Sequence, residues 1–261
     1  ELMPEFVKRE HLDFMRNVPL PARKEVLKSL SEGEGVEFHY FTIGMINVIG
    51  IDPDFKYAPQ YINFMKYSIR DLLTVIVKAG ITQAMDGHLE DACITLRAAV
   101  VIDDEDVDVL FNYMLVCRNM YMNSDDPAFT ADLKAEVFEV LLKLKELYPD
   151  FNYTYYYLGY AYINAGQYKE AAEQWETYLK LTDDDDEKDE IESRLKELED
   201  PLIIEQGYRD IMSGKHESGL ATLRKYEDDE RFLDWWPLKY YIGVALNRLG
   251  RSAEAIEPLK E

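Results

Sequence analysis

Four stretches of the chain share one spacing. Gly80, Gly87, Ala92 and Leu96; Gly159, Gly166, Ala171 and Trp175; Gly207, Gly214, Gly219 and Leu223; and Gly243, Gly250, Ala255 and Leu259 follow the same rule. In each, two glycines lie seven residues apart, a small residue follows five later, and a large apolar residue four after that. Such recurrence means one supersecondary unit used several times, and a unit that cannot bury its apolar face alone must stack on its neighbours. The copy YYYLGYAYINAGQYKEAAEQW at 155–175 shows the physical tension best. It crowds Tyr155, Tyr156, Tyr157, Tyr160, Tyr162 and Tyr168 among Gly159, Ala161, Ala165, Gly166, Ala171 and Ala172. A glycine inside a helix costs about 1 kcal/mol relative to alanine, so Gly159 must be offset by contact, most simply a neighbouring helix approaching its bare backbone. The tyrosines and Trp175 then fill the remaining gaps, each with about 150–250 Å² to bury.

With Leu158 before Gly159 and Ile242 before Gly243, these residues resemble the tetratricopeptide repeat, a unit of about 34 residues made of two antiparallel helices. Residues 152–185 match best, with Tyr155, Leu158, Gly159, Tyr162, Gly166, Tyr168, Ala171 and Trp175 in place; the departures are Tyr178, where the family usually has Ala, and Asp183, where it usually has Pro. The resemblance implies an all-α fold, an α-α superhelix (solenoid) of helix-turn-helix repeats over residues 71–261. Units fall at about 73–106, 107–151, 152–199, 200–235 and 236–261, the last one truncated. The second lacks the helical glycine, and NSDDPAF at 123–129 lengthens its turn before a second helix over ADLKAEVFEVLLKLKELYPD, which Pro149 closes. The third carries an insertion, TDDDDEKDEIESRLKELED, because 48 residues separate Gly166 from Gly214. Residues 1–70 form a helical N-terminal segment, read as degenerate repeats or as an extension packed on the first clear unit. Its helices are expected at MPEFVKREHLDFM, PARKEVLKSL, FHYFTIGMINVIG and PQYINFMKYSIRDLL; nowhere does residue alternation last long enough for a sheet.

The resemblance also implies a function: binding another protein or peptide as a scaffold or adaptor, with no catalysis and no cofactor. In that family the fifth and ninth positions of each unit line a groove. Here they are Val77 and Ile81, Phe111 and Leu115, Tyr156 and Tyr160, Ile204 and Tyr208, and Tyr240 and Val244. None is Lys or Arg, so the basic clamp with which one subclass holds the carboxylate of chaperone tails is not expected. An aromatic, apolar groove suits an amphipathic helix or an extended peptide, unless the same residues pack against one another or against residues 1–70. A peptide-sensing regulator with residues 1–70 as its output module would use the same groove.

Charge narrows the partners. Residues 1–70 hold nine basic and ten acidic side chains, so nearly all of the net charge of −22 lies in residues 71–261. That surface repels nucleic acid and anionic membranes and steers in a basic partner. The longest apolar run, YFTIGMINVIGI at 40–51, falls short of the about 20 residues that span a bilayer. Cys93 and Cys117, scattered in apolar surroundings, read as buried reduced thiols, which favours the cytoplasm. The opening Glu1 in place of Met points to a chain cut from something longer, from which a signal or anchor has been removed or not. His11, His39, His88 and His216 lack metal-ligand spacing, and His88 and His216 read as turn residues. Asp183 to Asp186 with Glu187 lacks the glycine and alternation of a calcium loop; it reads as a helix start capped by Thr182 with its acids at the positive end of the dipole. No GxSxG, GxxxxGK[ST] or GxGxxG is present, so an enzyme would need a site dispersed in sequence.

Overall fold

A computed structural model describes residues 12–22, 39–256 and 258. Among these residues every regular element is helical, with thirteen α-helices after one short 3-10 turn at Asp13–Met15. The helices are α1 His39–Ile51, α2 Ala58–Ser68, α3 Leu72–Met85, α4 Leu89–Ile102, α5 Val107–Met122, α6 Pro127–Leu147 and α7 Asn152–Asn164. They continue with α8 Tyr168–Leu181, α9 Asp185–Glu197, α10 Glu199–Met212, α11 His216–Leu223, α12 Trp236–Arg248 and α13 Ser252–Ala255. The chain forms two compact units, residues 1–149 and 150–261. Helices pair with their neighbours along the chain: α3 with α4 and α5 with α6 in the first unit, α7 with α8, α10 with α11 and α12 with α13 in the second.

The repeated spacing now has a structural meaning at each of its places. In each pair that carries the spacing, the second glycine closes the turn from the left-handed region, with φ of +84° at Gly87 and +70° at Gly166. Around Gly166 the Gly166 amide donates to the Ile163 carbonyl and the Gln167 amide to that of Tyr162, both at 2.9 Å. This paired closure satisfies carbonyls that the helix end leaves orphaned, and it recurs at Gly87, Gly214 and Gly250. In three copies the first glycine faces the large residue sixteen positions on. A Cβ on Gly80 would stand 2.5 Å from Leu96 Cγ, one on Gly207 2.6 Å from Leu223 Cδ2, and one on Gly159 inside the indole of Trp175. The indole nitrogen also donates to the Tyr156 carbonyl at 3.1 Å.

This corrects the expectation for Gly159: a partner side chain, not a partner backbone, occupies the space that glycine vacates. True backbone approach occurs at the small residue of the second helix, where a Cβ on Gly219 would stand 2.6 Å from the Gly207 carbonyl oxygen. It also occurs between α1 and α4, where a Cβ on Gly50 would fall on the Ile94 carbonyl. That contact fastens α1, the long apolar run of the sequence, to the second helix of the first clear pair.

Other boundaries differ from the sequence reading for local reasons. The helix expected over 59–73 ends at Ser68, Asp71 takes φ +52°, and Leu72 and Leu73 open α3 instead. The second helix of the second pair starts at Pro127, because Asp126 caps it by accepting from the Ala128 and Phe129 amides and proline suits the first helical position. The insertion forms α9, capped by Asp184, which accepts from the Glu187 amide at 3.0 Å, and not by Thr182. Thr182 instead accepts from the Asp184 amide. The helices expected at MPEFVKREHLDFM and PARKEVLKSL lie almost wholly outside the described residues, as does Leu259.

Candidate binding cleft

In the first unit, α3 and α5 are the first helices of consecutive pairs, and they flank a cleft of about 510 Å³. Its floor is a stripe repeating every four residues along α3, namely Leu73, Val77, Ile81 and Met85. Four-residue spacing keeps side chains on one helical face. Val77 is 9% exposed, Ile81 37% and Met85 83%, so the stripe opens to solvent toward the end of α3. Thr74, Lys78 and Thr82 border it on α3, and Asp106, Asp108 and Asn112 line it from the start of α5.

The acidic edge is held in shape by ordinary local bonds. Asp106 caps α5, accepting from the Val109 amide at 2.9 Å. Asn112 donates to the Asp108 carbonyl at 2.7 Å, one turn along the same helix. Just upstream, Asp103 accepts from the Glu105 amide, and Asp104 pairs with Lys143 at 2.5 Å, which holds its carboxyl below the usual range. The run Asp103–Asp108 is therefore a positioned set of carboxylates beside an apolar stripe.

Of the ten residues expected to line a groove, Val77 and Ile81 are in this cleft. Phe111 and Leu115 lie half-buried on α5, outside its lining. In the second unit Ile204 is completely buried among Ile211, Leu238 and Ile242, so its side chain belongs to the core. Tyr208 is half-buried and stacks on Tyr241 with centroids 4.4 Å apart, and burial pushes its phenol up. Tyr240 is 46% exposed, and Val244 half-buried.

Tyr156 and Tyr160 are also half-buried, their rings 5.2 Å apart edge to face. Both hydroxyls donate to Glu190 of α9, at 3.3 and 2.6 Å. Tyr153 and Tyr178 likewise donate to Glu187, one turn earlier on α9. The inserted helix thus meets the tyrosine face that the sequence reading left open. Sequence reasoning missed Leu73, Met85, Asp106, Asp108 and Asn112 as cleft residues. The signal available was the four-residue stripe on α3, which continues past the two family positions in both directions. Among the described residues, no three or more His, Cys, Asp or Glu are grouped to hold a metal, and no helix is long and apolar enough to cross a membrane.

Paired helices closed by left-handed glycines, with a cleft between first helices, define a helical-repeat protein. The family model of the tetratricopeptide repeat matches residues 153–185, the pair α7 and α8. Solved structures with similar folds include a tetratricopeptide repeat protein of Thermus thermophilus, TTC0263, at 15% identity over 90% of this chain and 96% of that one, with a TM-score of 0.41. MamA matches at 16% identity over 89% of each chain with a TM-score of 0.36. A tetratricopeptide repeat protein of Parabacteroides merdae ATCC 43184 matches at 12% identity over 97% of this chain and 78% of that one, with a TM-score of 0.39. No curated protein matches the sequence. The tetratricopeptide fold is that of a protein-interaction scaffold.

Proposed function

We propose that the chain binds an amphipathic, basic helix of a partner protein in the cleft between α3 and α5, as a scaffold without chemistry of its own. The observation that carries this reading is the pairing of an apolar stripe, Leu73, Val77, Ile81 and Met85, with the carboxylates of Asp106 and Asp108 across from it. An amphipathic helix docks by laying apolar residues at spacings of three and four into such a groove. Basic residues on its flank would meet the acidic edge, adding encounter rate and orientation more than affinity. The strongly negative chain reinforces that choice of sign.

The test is a fluorescence anisotropy titration of the full chain with a labelled synthetic amphipathic helix of leucine and lysine. Saturable binding is expected, weakened about tenfold or more by Ile81→Glu, equivalent to about 1.4 kcal/mol, with helicity unchanged. Asp108→Asn should weaken binding less, and mainly at low salt, because exposed charges are screened over about 8–10 Å at ordinary ionic strength. Binding insensitive to Ile81→Glu would place the ligand elsewhere and end the proposal.

A further inference from the structure

The first unit also holds a side-chain cluster that the cleft does not use. Cys93 of α4 and Cys117 of α5 are both free and buried, with their Sγ atoms 4.0 Å apart. One turn along each helix stand Arg97 and Tyr113, and these also meet: Arg97 Nε donates to the Tyr113 hydroxyl at 3.0 Å. Glu136 of α6 completes the group, accepting from the Tyr113 hydroxyl and pairing with Arg97 at 3.2 Å. Two pairs spaced four residues apart on facing helices therefore place two thiols together, with a guanidinium within a turn of one of them.

The two thiols are not equivalent. Cys93 is 8% exposed and Cys117 1%. The contact between the two thiols lowers Cys93 and the Arg97 charge lowers it further, against the opposing effects of burial and of the Glu136 carboxylate. That same contact raises Cys117, and burial raises it again. Arg97 and Glu136, whose side chains are 36% and 35% exposed, reach from this cluster to solvent. A thiol held lower beside a second thiol held higher is the arrangement that oxidises in two steps.

We infer that Cys93 and Cys117 are an oxidative modification site at which a hydroperoxide converts the pair to an intramolecular disulfide between α4 and α5. The Cys93 thiolate attacks one peroxide oxygen, the O–O bond breaks, hydroxide leaves and Cys93 becomes the sulfenic acid. Cys117 then gives up its proton and attacks the Cys93 sulfur; the S–O bond breaks, the S–S bond forms, and the departing oxygen leaves as water. In sum two thiols and one hydrogen peroxide give a disulfide and two waters, the sulfurs supplying the two electrons that reduce the peroxide. Closing 4.0 Å to a bond of about 2.05 Å needs side-chain rotation and a small approach of α4 to α5. The product would fasten the second helix of one pair to the first helix of the next. The inference does not depend on what the cleft binds.

The test uses the full chain and hydrogen peroxide. Untreated chain, unfolded and alkylated with N-ethylmaleimide, should carry two adducts. Oxidised chain should carry none, run as a monomer without reductant, and regain both adducts after dithiothreitol. The folded chain should oxidise about tenfold faster than the same chain in urea, which has lost the Arg97 charge and the held proximity of the thiols. In Cys117→Ala, peroxide with dimedone should label Cys93, whereas in Cys93→Ala the Cys117 thiol should survive. Two adducts surviving peroxide, faster oxidation when unfolded, disulfide-linked dimers, or preferential labelling of Cys117 would each overturn the inference.

Discussion

A methyl group on Gly159 would have to occupy the Trp175 indole, so Gly159→Ala forces either the ring or the helix to move. Overpacking of this kind costs about 1–3 kcal/mol, and Gly159→Leu more, read as a fall in the urea midpoint at unchanged slope. Gly87→Ala makes a contrast: a Cβ there meets nothing within 4 Å, yet φ is +84°. Its cost should be about 1–2 kcal/mol and purely conformational, so Gly87→Asn should recover part of it while Gly159→Asn should not. A third residue reports on the last pair. Arg251 and Arg224 hold the Glu254 carboxyl down from the usual 4.5 to about 2. Because its folded value is depressed, its contribution is complete above about 4.5 and is lost as pH falls toward about 2. A carboxyl titration by NMR should show Glu254 with that midpoint, and Arg224→Gln should raise it.

At the scale of elements, the paired glycines made the hairpins readable, because each glycine has a local cause: a left-handed turn, or a large side chain sixteen residues on. Starts of helices were less readable where several residues compete to cap. Thr182 and Asp184 both cap in principle, and only the placed Glu187 amide decides for Asp184. Asp126 and Pro127 form a valid start signal, although they sit within NSDDPAF, a stretch that reads by composition as a lengthened turn. In α9 only Ile191 is buried, so the helix relies on its cap, its acidic first turn and its tyrosine contacts. Removing the cap with Asp184→Ala should destabilise α9 by about 1 kcal/mol and raise amide exchange from Glu187 to Glu190 ahead of the rest of the unit. Exchange raised uniformly through residues 150–261 would mean instead that α9 is an inseparable part of the second unit.

For the whole molecule, the repeated glycine spacing pointed correctly to a helical-repeat fold, but the net charge of −22 could not mark a site. With 51 acidic residues in the chain, Asp106 and Asp108 are indistinguishable by sequence from their neighbours. They become a feature only when α5 is packed beside α3. Ile204 shows the converse: it holds a family groove position, yet the packing of α10, α11 and α12 takes it into the core. The groove positions therefore predict a face of a helix, and the neighbouring helices decide whether that face stays open. The most direct measurement of the central claim is methyl NMR of the full chain titrated with the leucine and lysine helix. Shifts concentrated at Leu73, Val77, Ile81 and Met85 are expected. Shifts centred on α7 and α9, or absent from all four residues at saturation, would contradict that claim.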